Sequence, residues 1–290
     1  MDQKRRMAET LAELAVQTLV DEVNLTPKPG LVDQENNGAH HDLTIELMRR
    51  SAVSLRPVFT KIAESSYERE PSQSLREDIA VIGRKGEQVM LGVTGGINTH
   101  KGAIWSLGLL VSAAAGNAEL SNTEGVAERA GRIARFQDRY CPVASTNGSK
   151  VKDVYQVPGA RGEAQLNFPH VCNIGLPFLQ QARRNGIPET NARLDVLLAI
   201  MSELDDTCIL HRGGMEALQA VKNGANEVLK SGGTSTNAGR LALIRLDETM
   251  MELFVSPGGS ADLLAAVLFL DALQKERSLK GGVAVGNVTF

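Results

Sequence analysis

Five polar, glycine-rich segments stand out, because glycine permits left-handed backbone and a close approach of the main chain to a ligand. Most of them also contain Lys, Arg or Asp, the side chains that bind phosphate groups and Mg²⁺. Glycine and proline also simply interrupt helices, but five segments with the same polar content favour a phosphate-containing ligand. We call these segments the loop clusters; they are NLTPKPGLVD (24–33), GVTGGINTHKG (92–102), PGARGEA (158–164), LDDTCILHRGG (204–214) and SPGGSAD (256–262).

The segments between the loop clusters have apolar residues at helical spacing. Apolar side chains recur every three to four residues, for example from Met7 to Val23, from Ile45 to Ile62 and from Leu194 to Leu204. Alternation of the kind seen in strands is confined to the tail, residues 281–290. The pattern predicts an all-α fold with one domain over residues 1–290, in which roughly ten helices arrange the loop clusters around one nucleotide cleft.

Capping residues mark two of the predicted helix starts. Residues 121–124 have the form of a capping box and predict a helix that runs toward Tyr140. Asn237 can cap a helix that carries Leu241, Ile244 and Met251.

Composition and charge argue against several classes of protein. The net charge of -3 and the pI near 6.0 give no electrostatic reason to expect a nucleic acid or an anionic membrane as partner. The longest charge-free stretch, residues 102–118, is shorter than the roughly 20 apolar residues of a membrane span. Glu9 and Glu13 interrupt the place where a signal peptide would be apolar. Three widely spaced cysteines form neither a disulfide framework nor a zinc motif, and they favour the cytoplasm.

None of the loop clusters has the form of a common catalytic or phosphate-binding motif. Residues 92–102 lack the Gly-Lys-Ser/Thr ending of a P-loop and follow no predicted strand. The sequence also lacks a Gly-x-Ser-x-Gly elbow and a His-Glu-x-x-His zinc helix. Adjacent His40 and His41 point in different directions, which disfavours a shared metal ion.

Taken in order, the loop clusters and their flanks resemble the triphosphoribosyl-dephospho-CoA synthases. The resemblance extends from about Glu22 to Leu270, and only mild departures occur at Ile97, His41 and Asn167. It rests on NLTPKPGLVD with NNGAHHDL, GINTHKGAIWSLGLL, GARGEAQLNFPHV, DDT with LHRGG, and SPGGSADLL.

The resemblance implies a glycosyl transfer between two nucleotides. In this family the ribose 2′-hydroxyl of 3′-dephospho-CoA replaces adenine at C1 of the ATP ribose, and the triphosphate stays attached. Such a reaction has a transition state similar to an oxocarbenium ion. It needs cations for the triphosphate, a base for the attacking hydroxyl and a donor that helps adenine to leave.

For the triphosphate of ATP we expect Lys28, Lys101, Arg161 and Arg212, each inside a loop cluster. Their cationic side chains lie beside backbone N–H groups that can contact the same phosphate. Asn98 is a further candidate for ATP or phosphate binding. Solvated surface charge is the competing interpretation for each cation.

For Mg²⁺ we expect Asp205, Asp206 and Asp262 as ligands. Adjacent aspartates repel each other unless a cation or hydrogen bonds offset the charge, and the pair follows an apolar helix whose dipole disfavours acids at that end. Asp262 could instead stabilise a helix N-terminus. Alternative ligands or bases are Glu22, Asp33 and Glu163.

For proton transfer we expect Glu163 as the base, because it lies between Arg161 and the loop at Phe168. His100 can donate a hydrogen bond to the departing purine. A polar contact that only stabilises the loop is the alternative for His100.

Two other functions are compatible with the residues. One is a Mg²⁺-dependent hydrolase of linkages like those of ADP-ribose, and the other is a non-catalytic helical protein that binds nucleotides. Within the resemblance, the product would serve citrate lyase or malonate decarboxylase. A separate transferase would pass it to the acyl carrier protein, so we expect only an indirect link to that carrier. A homo-oligomer is compatible with the sequence.

Overall fold

The computed structural model describes residues 3–117, 122–142 and 147–285. Within these ranges the chain forms thirteen α-helices, one π-helix and no strand. The all-α prediction is confirmed, with more helices than the roughly ten expected from periodicity. The α-helices are α1 (Gln3–Asn24), α2 (Ile45–Ser54), α3 (Arg56–Ser66), α4 (Gln73–Thr94), α5 (Lys101–Gly116), α6 (Thr123–Arg135), α7 (Asn147–Tyr155), α8 (Gly159–Gln165), α9 (Leu176–Arg184), α10 (Glu189–Glu203), α11 (Thr207–Lys230), α12 (Asn237–Glu252) and α13 (Gly258–Val285), and the π-helix is His170–Gly175.

Two apolar helices, α5 and α13, form the centre of the core. All residues from Ser106 to Gly116 of α5 are buried, as are all residues from Leu263 to Leu270 of α13. Helices α1, α3, α4 and α6 pack on α5, while α1 and α10 pack on α13. A helix that is apolar on every side needs neighbours on every side, which explains why these two segments contain so few charges.

Short-range capping fixes several helix boundaries. The side chain of Ser72 accepts a hydrogen bond from the backbone N–H of Leu75 at the start of α4. Gly95 ends α4 with a φ of 67°, a left-handed conformation that other residues rarely adopt. The chain therefore turns from α4 into the INTHKG segment and begins α5 only six residues later.

The structure corrects three of the predicted boundaries. The cap of α6 is Asn122, the second residue of the predicted capping box at 121–124, and α6 ends at Arg135 rather than near Tyr140; residue 121 lies outside the described ranges. The cap of α12 is Thr236, one residue before the predicted Asn237. Helix α13 continues to Val285, so the first half of the tail is helical, and residues 286–290 lie outside the described ranges.

Among the described helices, none combines the length and the apolar content needed to cross a bilayer. The assignment of residues 1–290 to a single catalytic domain stays a prediction.

Candidate active site

The loop clusters come from distant parts of the chain but lie beside one another. A Cβ atom at Gly102 would overlap the carboxylate of Asp262, so the second and fifth clusters are in direct contact. The carboxylate of Asp206, in the fourth cluster, accepts hydrogen bonds from the backbone N–H (2.8 Å) and the hydroxyl (2.9 Å) of Ser260. We call this meeting place the loop junction.

The first and third clusters border the same junction. Gly159 lies next to Thr207, since a Cβ atom at Gly159 would be 3.4 Å from the Thr207 methyl group. Lys28 is close enough to His100 to lower the pKa of that imidazole. Five polar segments that the chain separates are thus neighbours in space, while the cleft expected among them stays a prediction.

Asp206 is a capping residue whose hydrogen-bonding capacity is filled. It is buried, and its carboxylate accepts four hydrogen bonds, from Cys208 N, Gly259 N, Ser260 N and Ser260 Oγ. Burial raises the pKa of Asp206, and the hydrogen bonds oppose that shift. Contrary to the expectation that Asp206 ends an apolar helix, it is the N-cap of α11, where an acid is favourable.

The three aspartates expected to bind Mg²⁺ have different surroundings. Asp205 pairs with Lys222 (Oδ1 to Nζ, 2.6 Å), away from the partners of Asp206. Burial raises the pKa of Asp262 well above its usual range, and the nearby carboxylates of Glu22 and Asp206 add to this. Among the described residues, no group of three His, Cys, Asp or Glu side chains is arranged to hold a metal ion. The predicted trio therefore does not form a ready three-ligand site.

Lys28 is part of a buried ion pair and not an exposed cation. Its Nζ lies 2.6 Å from Oε1 and 2.7 Å from the carbonyl oxygen of Glu22. The backbone N–H of Lys28 also donates to Oδ2 of Asp33 (2.8 Å). The ammonium group of Lys28 thus holds the start of this loop against α1, and its contact with phosphate stays a prediction. Both alternative carboxylates, Glu22 and Asp33, are engaged in the same loop.

His100 lies buried at the start of α5. Its Nδ1 is 3.0 Å from the hydroxyl of Ser51 in α2, and its Nε2 has no hydrogen-bond partner in the described part of the chain. Burial, with a smaller contribution from Lys28, lowers the pKa of His100 to about 4. The imidazole is therefore neutral near pH 7 and carries one unsatisfied nitrogen at the loop junction.

Two of the predicted phosphate ligands are exposed but already have partners. Nζ of Lys101 lies 2.9 Å from Oε2 of Glu87 on α4. Arg212 donates to the carbonyl oxygen of Ala39 (3.0 Å) and lies 3.3 Å from Nδ1 of His40. The pair of Lys101 and Glu87 is at the surface, where ion pairs are weak. Arg212 is exposed too, so both cations remain accessible to a phosphate.

Asn98 and Arg161 are exposed as well. Oδ1 of Asn98 accepts a hydrogen bond from the backbone N–H of Lys101 (3.2 Å) and so shapes the start of α5. No hydrogen bond or ion pair of the Arg161 side chain is found within the described ranges. Of the four predicted cations, Arg161 is thus the one without a partner among the described residues.

Glu163 forms a pair with a residue that the sequence did not single out. Its Oε1 accepts the backbone N–H of His170 (2.9 Å), and its Oε2 lies 2.7 Å from Nδ1 of the same residue. The hydrogen bond to Glu163 raises the pKa of His170, and burial opposes this. Asn167 and Phe168 turn the chain between α8 and the π-helix with φ values of 66° and 57°. His170 lies in the motif GARGEAQLNFPHV, but in a continuous helix a seven-residue spacing would separate it from Glu163 by roughly 10 Å, so the contact depends on the turn at Asn167 and Phe168.

Comparison with known proteins gives consistent results over most of the chain. The CitG family, described as ATP:dephospho-CoA triphosphoribosyl transferase, matches residues 8–281. The 2-(5''-triphosphoribosyl)-3'-dephosphocoenzyme-A synthase of Klebsiella pneumoniae is 51% identical over 261 residues, which cover 90% of this chain and 93% of the relative. A probable synthase of the same name from Pseudomonas fluorescens Pf0-1 is 50% identical and covers 95% of both chains. No solved structure matches the chain.

Proposed function

The chain belongs to the ATP:dephospho-CoA triphosphoribosyl transferase family, and from this premise we propose the reaction that it catalyses. It transfers the triphosphoribosyl group of ATP to the 2′-hydroxyl of 3′-dephospho-CoA, with release of adenine. The observation that carries this proposal, beside the family, is the meeting of five polar loop clusters at one junction. Family membership favours this transfer over a hydrolase of ADP-ribose-type linkages and over a non-catalytic nucleotide-binding protein.

In the proposed reaction, the acceptor 2′-oxygen forms a bond to C1 of the ATP ribose while the bond from C1 to adenine breaks. The acceptor hydroxyl loses its proton to a base, and adenine leaves with a proton or a hydrogen bond. Exposed Lys101, Arg161 and Arg212 bind the triphosphate, with Asn98 beside them. His100 contacts adenine or its ribose, a role supported by the unsatisfied Nε2 at the loop junction.

We assign acceptance of the proton to the pair of Glu163 and His170. Glu163 is only 4% exposed, and both of its carboxylate oxygens are bonded to His170. His170 keeps 23% of its side-chain surface exposed, so it can meet a substrate more readily. Because the pair raises the pKa of His170, the neutral imidazole is a stronger base than a free one. Glu163 then orients His170 and stabilises the charge that it acquires.

Mg²⁺ would neutralise part of the triphosphate charge. Of the three predicted ligands, Asp262 fits best, because Asp206 already accepts four hydrogen bonds and Asp205 is paired with Lys222. Burial raises the pKa of Asp262, the carboxylates of Glu22 and Asp206 add to this shift, and a bound cation would favour the ionised form. Mg²⁺ commonly takes one or two carboxylates together with water and phosphate oxygens, so ATP would supply the other ligands.

The test is to incubate the protein with ATP, Mg²⁺ and 3′-dephospho-CoA, and to follow adenine by chromatography. Adenine should appear only when the acceptor is present, and the acceptor should gain the mass of a triphosphoribosyl group. A hydrolase would release adenine without acceptor, and a binding protein would release none. CoA itself should react at least ~100-fold more slowly in kcat/KM, because its 3′-phosphate would be an unpartnered charge beside the attacking hydroxyl. Equal rates with CoA would contradict the acceptor assignment.

The biological setting stays at the level of prediction. The product fits the prosthetic group of citrate lyase or malonate decarboxylase, which a second transferase would attach to the acyl carrier protein. A cytoplasmic location and a homo-oligomeric state are further predictions.

A further inference from the structure

An arginine-rich site outside the loop clusters is found where α4, α5 and α8 meet. Arg76 of α4 is only 8% exposed, and its guanidinium carbon lies 4.9 Å from the ring centroid of Trp105 on α5. The indole N–H of Trp105 donates to the carbonyl oxygen of Ala160 (3.1 Å), which precedes Arg161 in α8. We call the group of Arg76, Arg84, Trp105 and Arg161 the arginine junction.

Charges in the arginine junction do not balance. Arg84 is paired with Asp138, whereas the side chain of Arg76 has no ion pair or hydrogen bond within the described ranges, and its Nε is buried without a partner. Arg161 also lacks a partner there. Burial lowers the pKa of Arg76; Asp138 opposes this shift, and the cations of Arg161 and Arg84 add to it. Two guanidinium groups thus share one region without a counter-ion of their own in the part of the chain that the structure describes.

A buried, unpaired charge is costly to a protein unless something else offsets it. The face of Trp105 offsets part of the cost through a cation–π contact, but it supplies no hydrogen-bond acceptor for Nε. A phosphate group supplies both the negative charge and several acceptors, and guanidinium groups bind it in a bidentate manner. The chemistry of the missing partner is therefore that of a phosphate chain.

The position of the arginine junction relative to the loop junction supports this. Lys101 and Trp105 are four residues apart on α5 and so lie on one face of that helix. Arg161 belongs to a loop cluster and also to the arginine junction. A substrate at the loop junction can thus extend its phosphates toward Arg76.

We propose that the arginine junction is a polyphosphate subsite, in which Arg76 and Arg161 bind the diphosphate or triphosphate chain of a nucleotide substrate against Trp105. The identity of that nucleotide rests on the proposed function, whereas binding of the phosphate chain does not. Two sources carry this chemistry, namely the triphosphate of ATP and the diphosphate of 3′-dephospho-CoA.

Binding can be followed without turnover, because Trp105 is the single tryptophan of the chain. The probes are inorganic pyrophosphate and tripolyphosphate, added at constant ionic strength, with tryptophan fluorescence and calorimetry as readouts. The wild type should bind a probe saturably, and Arg76→Gln should weaken binding at least tenfold. Arg161→Gln should weaken binding of the probe at least threefold. Because Arg161 is exposed, this variant tests the subsite even if Arg76→Gln does not fold.

Arg277→Gln is the matched control. Arg277 is also partly buried and has its pKa lowered by burial, but it donates to the carbonyl oxygen of Ala114, and within the described ranges no contact links it to the arginine junction. Its replacement should leave probe affinity unchanged. The subsite would be overturned if the wild type showed no saturable binding of the probe. It would also be overturned if Arg76→Gln and Arg161→Gln both bound the probe as tightly as the wild type.

Kinetics of Arg76→Gln then identify the source of the phosphates. A tenfold higher KM for ATP assigns the subsite to the triphosphate, and the same rise for 3′-dephospho-CoA assigns it to the diphosphate. If the wild type binds tripolyphosphate through Arg76 but releases no adenine, the subsite stands and the proposed function fails. If adenine is released and neither KM nor probe affinity changes in the variant, the subsite fails and the proposed function stands.

Discussion

The loop junction and the arginine junction treat buried charge in opposite ways, although α5 borders both. At the loop junction the buried charges have partners within the chain: Asp206 accepts four hydrogen bonds, and Lys28 pairs with Glu22. At the arginine junction, Arg76 is almost as deeply buried and has no such partner in the described part of the chain. A satisfied charge holds loops in place, whereas an unsatisfied one points to a ligand from outside.

The difference also separates residues that shape the site from residues that contact substrate. Lys28 and Asp206 were both expected to bind ATP or its metal ion, yet their polar atoms are used in fixing the first, fourth and fifth loop clusters. The residues left for substrate are the exposed cations, His100 with its free Nε2, the pair of Glu163 and His170, and Arg76. Removing the charge of Asp206 at the loop junction should therefore lower the free energy of unfolding, whereas removing that of Arg76 at the arginine junction should raise it.

The largest effect is expected for Asp206→Ala. It removes the acceptor of two donors of buried Ser260 and of two partly buried backbone N–H groups, those of Cys208 and Gly259; unsatisfied buried groups cost about 1–3 kcal/mol each, though not additively. The free energy of unfolding, measured with urea, should fall by about 4 kcal/mol.

Asp205→Ala is the matched control, because the neighbouring residue makes a half-exposed ion pair with Lys222. It should cost less than about 1 kcal/mol. Similar losses in the two variants would mean that Asp206 does not hold the loop junction together.

A smaller effect of opposite sign is expected for Arg76→Met. Methionine retains much of the length of the side chain and its packing on Trp105, and it removes a buried charge that has no partner among the described residues. In phosphate-free buffer the free energy of unfolding should rise by about 1 kcal/mol, since apolar replacement of buried ionic groups is often stabilising and the lost cation–π contact offsets part of the gain.

The same variant should lose the stabilisation that tripolyphosphate gives to the wild type, because only the folded state binds the anion. Arg277→Met should not raise the free energy of unfolding. It breaks the hydrogen bond to the carbonyl oxygen of Ala114 and relieves no repulsion between neighbouring cations. A clear loss of stability in Arg76→Met without phosphate would make Arg76 a structural residue.

The sequence predicted much of the fold because its signals are local. Apolar runs in α5 and α13 mark helices that are buried on all sides, and Asn122 marks the start of α6. That the loop clusters lie close to one another was also predictable, because each cluster interrupts a helical pattern and all of them have similar polar residues.

The roles of single residues were less predictable, because their partners are distant in the chain. Asp206 is satisfied by Ser260, 54 residues later, and nothing in the local pattern announces that contact. Arg76 looks like a solvated residue of an amphipathic helix until Trp105 of α5 covers it. His170 is close in sequence to Glu163, but the two meet through left-handed backbone at Asn167 and Phe168, and a bulky residue such as Phe168 rarely adopts that conformation.

The smallest effect concerns pH and the pair of Glu163 and His170. The hydrogen bond to Glu163 raises the pKa of His170 in the folded state above its unfolded value of about 6.5. The pair therefore contributes its full stability below about pH 6.5 and loses it as pH rises through the folded-state pKa. The difference in unfolding free energy between the wild type and His170→Gln should shrink by less than about 1 kcal/mol between about pH 6.5 and about pH 9, the size expected for a partly exposed ion pair.

His40→Gln is the control: burial lowers the pKa of His40 to about 4, so it stays neutral in both states over most of that range. The difference in unfolding free energy between the wild type and His40→Gln should therefore not change with pH. A difference for His170→Gln that is equally flat, or that grows with pH, would show that the imidazolium form is not held by Glu163 and would remove the physical basis for the proposed proton-accepting pair.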